Sequence, residues 1–418
     1  MKKLNNLFRI IQHRTYGTVA AMFFMVATCS FFACSKEDDA PVIIPPYAES
    51  RTVMMYMVAE NSLNENVDAD VREILLGMDN DTLKAGDRLV IYVDDVSLPR
   101  IYVVDKNTKA TKLSELDPVK KYEEDMNSSS AQQLATFIDY AMLHYPADSY
   151  GLVMWSHASG WIPSSYAGDR RKSFGVDNGR NSSSNYLSGH QMNIDDMADA
   201  LDNVLQGKTL DFIFFDACLM QNIEVAYELR HATKYVIAPP SEILSSGANY
   251  KMMVTAMMRE KDYVDQMLSA YYQAYVNTFY GVVISAIKTE GLDELAAKTR
   301  TIVAAHKSEM LGLDTSSLQN YFLYPTWSSS IPDFLDMQGI MLKILDDAEF
   351  AQWKDLTSTM ITCKHAGKWY SQHPRKTLPI DDNQCCGVTM FIPFEKYGSS
   401  FNEDYLNTSW AKAVWMEE

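Results

Sequence analysis

Two residues in this chain have the types and settings needed for covalent chemistry. His157 closes the run "YGLVMWSH" and Cys218 closes "LDFIFFDAC". Each follows apolar residues that read as a fully buried strand, and each gives way to small or polar residues. A thiolate is a nucleophile for acyl transfer, and an imidazole beside it can hold its proton and return it to a leaving amine. In an open parallel sheet the carboxyl ends of the strands gather along one edge, where sites form. Two strand-end residues of these types are the minimum machinery for cysteine-based acyl transfer. Cys218 also opens a helical pattern over 219–230, and the N-terminus of a helix favours thiolate over thiol. A lone cysteine after a strand is also common as a small apolar core residue. A histidine ending a strand is also an ordinary loop residue, and spacing alone leaves both readings open.

The elements that must position this pair alternate. Buried strands are expected over 52–58 ("TVMMYMV") and 88–95, with 100–105 folding back on the latter as a hairpin. A helix is expected over 63–78 on Val67, Val71, Leu75 and Met78. Another covers 131–144, with Ser129 or Ser130 as its cap, and a third runs from Ile194 to Leu205 behind Asn193. Further strands are expected over 151–156, 210–218 and 235–240, separated by a polar loop over 162–188. Such β-α units argue for an α/β fold, a mostly parallel sheet with helices on both faces. Residues 50–250 form this core. Residues 251–418 read as more helical, with helix-like periods over 251–278, 291–308 and 334–364. Two strands, near 281–288 and 387–393, interrupt them and return to the sheet, and an amphipathic helix carries Tyr405, Trp410 and Trp415.

The first 34 residues have a different character. Lys2, Lys3, Arg9 and Arg14 precede an apolar run that ends at "SFFAC", the pattern of a secretory signal. Phe31-Phe32-Ala33-Cys34 resembles a loose lipobox, which makes Cys34 the expected lipidated residue. An ordinary signal with an incidental cysteine is the plainer alternative, and Cys29 suits cleavage less well because Thr28 precedes it. Residues 35–49, acidic and then proline-rich, resemble the tether of bacterial surface-exported lipoproteins. The expectation is an exported protein, lipid-anchored to the outer membrane at the cell surface, not spanning it. Without the four basic residues of the signal, 33 basic residues face 54 acidic ones. That surface excludes nucleic-acid binding through phosphates, and it suits basic substrates or divalent cations. Cys218, Cys363, Cys385 and Cys386 remain, too few for a disulfide scaffold. Cys385 and Cys386 are expected in a strand, pointing to opposite faces.

The blocks "LVMWSHASGW" and "FIFFDACLMQNIEVAYEL" resemble the two signature blocks of the clostripain family of cysteine peptidases. "VMMYMVAENSL", "HYPADSYGLVMW" and "GVTMFIP" are similar to further family segments, so the resemblance covers roughly residues 50–418. It implies a caspase-like α/β fold with Cys218 as nucleophile and His157 as general acid/base. It implies an endopeptidase cutting peptides or proteins after Arg, with Lys alongside. Asp216, two positions before the nucleophile, would lie at the floor of the S1 pocket, where a carboxylate suits a guanidinium. A helix cap is its plainer role. The backbone N–H groups of Cys218 and Ala158 would form the oxyanion hole. The family's usual glycine is replaced by Ala158, which is strained only if the backbone needs a positive φ there. The basic cluster Arg170-Arg171-Lys172 lies where family members cut themselves, with Arg171 the expected site. The resemblance also brings calcium, with no cofactor needed for the chemistry itself; no EF-hand loop exists and no ligands can be named. The rival motifs His-Glu-x-x-His, Gly-x-Ser-x-Gly and the P-loop are missing. His190, His231 and His365 with Cys363 read as structural. A catalytically silent relative that binds basic peptides or a partner protein is the competing reading, favoured by Ala158. The physiological substrate and the oligomeric state are not legible in one chain.

Overall fold

The computed structural model describes residues 50–162, 173–179, 189–323, 332–372 and 375–416. The signal, Cys34, the tether and the Arg170-Arg171-Lys172 cluster lie outside those residues. All described residues belong to one compact unit, 41–418.

The strands are β1 (Arg51–Val58), β2 (Arg88–Asp94), β3 (Arg100–Asp105), β4 (Lys120–Lys121), β5 (Ser149–Trp155), β6 (Phe174–Asp177) and β7 (His190–Met192). They continue with β8 (Phe212–Asp216), β9 (Tyr235–Ala238), β10 (Val283–Lys288), β11 (Ile361–His365), β12 (Lys368–Ser371) and β13 (Lys376–Pro379). Nine of them form one sheet in the order β11-β10-β9-β8-β5-β1-β2-β3-β4. The central five, β9, β8, β5, β1 and β2, run parallel. The outer pairs, β3 with β4 and β10 with β11, run antiparallel. From β1 the chain goes first to β2 on one side and then to β5 on the other. The β1/β5 boundary is therefore the switch point of the sheet, beside which a crevice opens at the carboxyl ends.

The helices are α1 (Val67–Met78), α2 (Ala131–His144), α3 (Ile194–Leu205), α4 (Ile223–Glu228), α5 (Tyr250–Met257) and α6 (Tyr263–Tyr275). After them come α7 (Leu292–Leu311), α8 (Met337–Ile344), α9 (Asp347–Ser358), α10 (Ser399–Leu406) and α11 (Ser409–Val414). They cover both faces, as the period-two pattern of the strands requires. On β1, Val53, Met55 and Met57 enter one core with Val71 and Ile74 of α1 and Met253 and Val254 of α5. Met54, Tyr56 and Val58 enter the other, with α2, α3, α4 and the C-terminal aromatics. Ser130 caps α2 by accepting from Gln133 N at 3.1 Å, whereas Asn193 precedes α3 without a side-chain cap bond.

The structure corrects the C-terminal expectations. Residues 387–393 are not a strand of the sheet: Thr389 makes only isolated bridges, to Asn222 and to Asp336. Its neighbours Val388 and Met390 bond to Met337 and Leu335, so this segment is pinned between two loops. The sheet ends instead on β11, inside the span expected to be helical. That span, 334–364, holds α8, α9 and β11, because Asp346 caps α9 with a complete capping box and ends the run. The 251–278 pattern likewise divides into α5 and α6, with Asp262 in the left-handed region between them. Cys385 and Cys386 lie in a loop, not a strand. Residues 219–230 contain only α4, followed by a 3-10 turn over Leu229–His231.

Candidate active site

The last register pair between β5 and β8 is Trp155 with Asp216. His157 and Cys218 each lie two residues beyond it, on neighbouring parallel strands about 4.8 Å apart. The two expected chemical residues thus leave the same edge of the sheet side by side. His157 Nε2 is 2.9 Å from Ser62 Oγ. Ser62 follows β1, the strand on the other side of β5, so the switch point supplies two of the site's residues and β8 brings Cys218 beside them. The segment between is anchored: Asn61 donates to the carbonyls of Val58 at 2.9 Å and Val176 at 2.8 Å.

Cys218 does not begin a helix. Residues 217–222 form a turn in which Leu219 has a φ of 61°, a left-handed conformation that costs a leucine about 1–2 kcal/mol. The turn is held by Leu219 N donating to Ser241 O at 3.0 Å. Helix α4 starts only at Ile223, because the backbone of Gln221 and Ile223 is engaged with Thr389. The expected lowering of the thiol pKa is therefore reversed. Burial pushes Cys218 up to about 12, opposed by the Ile243 N–H on Sγ and reinforced by the charges of Glu242 and Asp216. Ile243 N lies 3.3 Å from Sγ. Glu242 itself accepts from Ser371 Oγ at 3.0 Å and Gln372 N at 2.9 Å, so the end of β12 fastens the segment that covers the sulfur. Next to it lies a small pocket of about 30 Å³ lined by Ile243, Tyr271, Tyr275, Tyr280 and Trp369.

Asp216 is not a helix cap. Its carboxylate accepts from Ala248 N at 3.1 and 3.0 Å and from Tyr250 Oη at 2.8 Å. A Cβ on Gly247 would stand 2.5 Å from Asp216 Oδ2, so glycine lets the backbone wrap the group. Burial first, and then the charge of Glu73, leave Asp216 at about 6 despite these bonds. Asp70 stands on the same face, accepting from Trp155 Nε1 at 2.8 Å, and burial pushes it up to about 8.

Ala158 is not among the described non-glycine residues with positive φ, so its methyl brings no left-handed strain. It bridges Phe174 through Gly175 N donating to His157 O and Ser159 N donating to Ser173 O. In such a pair the residue's own N–H points away from the partner strand. The glycine that matters is Gly160, at φ +73°, where a Cβ would stand 2.2 Å from Asn222 Oδ1. Here the histidine loop packs directly on the turn that carries the thiol.

Ser62, Leu219, Tyr250, Gln372 and Thr389 were not foreseen. Only Ser62 had a local signal, the abrupt polar break "ENS" after a buried strand, which is the pattern that marks His157. Of the remaining histidines weighed from the sequence, His365 is in β11, 3.5 Å from Asp382, His190 is in β7 and His231 ends the turn after α4. As for calcium, Glu60 and Asp94 are fully buried and their four oxygens have no hydrogen-bond partner among the described residues. With Asp125 they present hard oxygen donors that fit such an ion.

A mostly parallel α/β sheet with cysteine and histidine at adjacent strand ends is the architecture of caspase-like cysteine peptidases. The clostripain family model matches residues 55–378, and the chain belongs to that family. Clostripain of Hathewaya histolytica is 29% identical over 197 residues, 43% of this chain but only 36% of that protein. The structure of an inactive zymogen C11 protease from Parabacteroides distasonis matches with a TM-score of 0.73 at 29% identity, covering 90% of this chain and 100% of that one. A secreted C11 cysteine protease from Bacteroides thetaiotaomicron, in complex with an irreversible peptide inhibitor, matches at 0.72 and 27% identity. That match covers 88% of this chain and 99% of that chain. Among the described residues no helix is long and apolar enough to cross a membrane.

Proposed function

We propose that the protein is a cysteine endopeptidase that cuts peptide bonds after arginine, and after lysine less readily. The observation that carries this is the register of β5 against β8, which sends His157 and Cys218 off one edge together. In the reaction the thiol proton passes to His157 and the sulfur attacks the carbonyl carbon. The oxygen that becomes negative is met by the N–H groups of Cys218 and Ala158. The C–N bond breaks, the amine leaves with the proton from His157, and water then hydrolyses the thioester. Asp216 receives the guanidinium of the residue before the cut. Ser62 orients the imidazole. None of this chemistry requires a cofactor; calcium enters as a structural ion.

The described conformation is a resting one. Ile243 N–H sits on the sulfur and the backbone of 247–248 wraps Asp216. Cutting after Arg171 releases these segments for substrate. Export, with a lipid on Cys34, would put the enzyme at the outer surface of the cell, where basic segments of proteins are its substrates. The rival reading of a silent relative draws on Ala158 and the altered "SHASG"; Ala158 itself lies outside the left-handed region, which takes backbone strain away from that reading.

The test is incubation of wild type and Cys218→Ala with arginyl and lysyl peptide amides, followed by mapping of new N-termini by mass spectrometry. Wild type is expected to release the arginyl amide and to acquire an N-terminus at Lys172, and the variant to do neither. Equal hydrolysis by both chains would refute the assignment.

A further inference from the structure

Cys363 lies in the middle of β11, at the edge of the sheet, paired in register with Ser285 of β10. Its Sγ stands 3.9 Å from that of Cys385, in the loop after β13. Both residues are half-buried, and both thiols are free. The loop is fixed on either side of Cys385. Gln384 Oε1 accepts from Gln319 N at 3.0 Å. The fully buried Asp336 accepts from Cys386 N at 3.0 Å and from Gly387 N at 2.8 Å. Ser285 Oγ donates to Gly387 O at 2.5 Å. Gly387 has a φ of +74°, and a Cβ there would stand 2.6 Å from Cys363 Sγ. Glycine thus lets the loop press onto β11, and the fold brings Cys385 to Cys363 before any bond forms.

The third sulfur nearby is committed elsewhere: Cys386 is buried, with its Sγ 3.1 Å from Asp336 Oδ1. Among the described residues no cluster of three metal-ligating atoms includes Cys363 or Cys385. A structural zinc site takes four ligands, so two apposed thiols without a third partner suit a bond to each other better than a metal ion.

We propose that Cys363 and Cys385 are a disulfide site, oxidised by a small disulfide of the glutathione class. One thiolate attacks the reagent and expels its first thiol, leaving a mixed disulfide on the chain. The second thiolate attacks the chain-bound sulfur of that bond, and the second reagent thiol leaves. Two protein thiols lose two electrons and two protons, and the reagent disulfide takes them up as two thiols. From 3.9 Å apart, the sulfurs close by about 1.9 Å to reach bonding distance, a shift that side-chain rotation supplies. Oxidants of this class belong to compartments outside the cytoplasm, so meeting one rests on the export reading; the pairing of the sulfurs does not. The bond also bears on the thiol of Cys218, because both joined segments lead to it. Beyond Cys363 the chain turns at Ala366-Gly367 into β12, whose end holds Glu242 through Ser371 and Gln372. Beyond Cys385 it reaches Thr389, whose Oγ1 accepts from Asn222 Nδ2 at 2.6 Å and steadies the turn after Cys218. A disulfide fastens these two supports to each other. What that does to catalysis rests on the peptidase reading.

The test uses the full chain carrying Cys218→Ala, reduced, freed of reductant and exposed without denaturant to oxidised glutathione. The chain is then unfolded, its remaining thiols are alkylated, and the digest is mapped by mass spectrometry. The expected product is a cross-link between Cys363 and Cys385, with Cys386 alkylated. The bond closes a loop between positions 22 apart, so thermal unfolding is expected to move up by a few degrees and to return with dithiothreitol. Cys363→Ser and Cys385→Ser should each abolish the cross-link and the shift, whereas Cys386→Ser should keep both. Hydrogen exchange over residues 368–372 is expected to slow in the oxidised chain. The proposal is overturned if both thiols stay free or carry only glutathione, or if the cross-link joins another pair. Unchanged exchange at 368–372 in a cross-linked chain would overturn the connection to Cys218. Because the Cys218→Ala chain does no chemistry, such failures count against the disulfide site and not against the peptidase.

Discussion

The reactivity of Cys218 toward an alkylating agent tests the resting state of the site directly. Burial raises the thiol from an ordinary 9.0 to about 12, with Glu242 and Asp216 adding to the effect. At pH 7.5 that change lowers the thiolate fraction about a thousandfold. A more basic thiolate is a better nucleophile, with a Brønsted slope of about 0.4–0.5, which returns a factor of about 15–30. The uncut chain should therefore react with iodoacetamide about thirty- to sixtyfold more slowly at Cys218 than a free cysteine does. The rate should keep rising with pH through 9 without levelling. Glu242→Gln should accelerate the reaction by less than tenfold, since burial is the larger cause. The assay is the rate of mass gain on the peptide containing Cys218, from pH 6 to 10. Mapping is required because Cys363, Cys385 and Cys386 are also free. A rate equal to that of free cysteine, levelling below pH 9 in a chain verified as uncut, would refute the argument.

Three other outcomes follow from the same contacts. Gly160→Ala forces a methyl into a left-handed position and onto Asn222; it should cost at least about 1–2 kcal/mol in urea unfolding and lower kcat. Tyr250→Phe removes a donor from a buried carboxylate, a loss of about 1.5–3 kcal/mol when Asp216 is charged. Asp216 sits at about 6 in the fold, above its unfolded value of about 3.9, so it destabilises progressively as pH rises from about 4 through 6. The Tyr250→Phe deficit should accordingly be small at pH 4.5 and full at pH 8, and urea midpoints at the two pH values check this. Thr389→Val leaves the Asn222 amide, now 2.6 Å from Thr389 Oγ1, unpaired in the core; a loss of about 1–3 kcal/mol is expected by the same measurement.

The central sheet was legible because each of its parallel strands is a short apolar run buried on both faces, and such runs announce themselves. The ends of β5 and β8, just before His157 and Cys218, were legible for the same reason: the polar break after each run marks where the strand leaves the core. What surrounds the thiol was not. Leu219 adopts a left-handed turn that no leucine signals, and Thr389 pins that turn from 167 residues away. The helical pattern after Cys218 extends to Arg230, but the turn consumes its first residues, so the dipole argument for an acidic thiol failed on tertiary grounds. Residues 387–393 have the composition of a strand, yet their backbone bonds go to two loops. Period and propensity describe a segment's own preference, and here distant partners decided the outcome.

The two ends of the nine-stranded sheet also bear on how the chain survives before it is folded. A sheet edge exposes unpaired backbone donors and acceptors that can recruit another molecule. Here one edge is the two-residue strand Lys120-Lys121, whose Lys120 lies 4.8 Å from the rings of both Tyr122 and Tyr140. The other is β11, with Lys364 held 2.9 Å from Asp265. Brevity at one end and cationic side chains at both make each edge a poor template for intermolecular pairing. The sheet can thus be broad enough to carry a site at its centre while its rims resist aggregation.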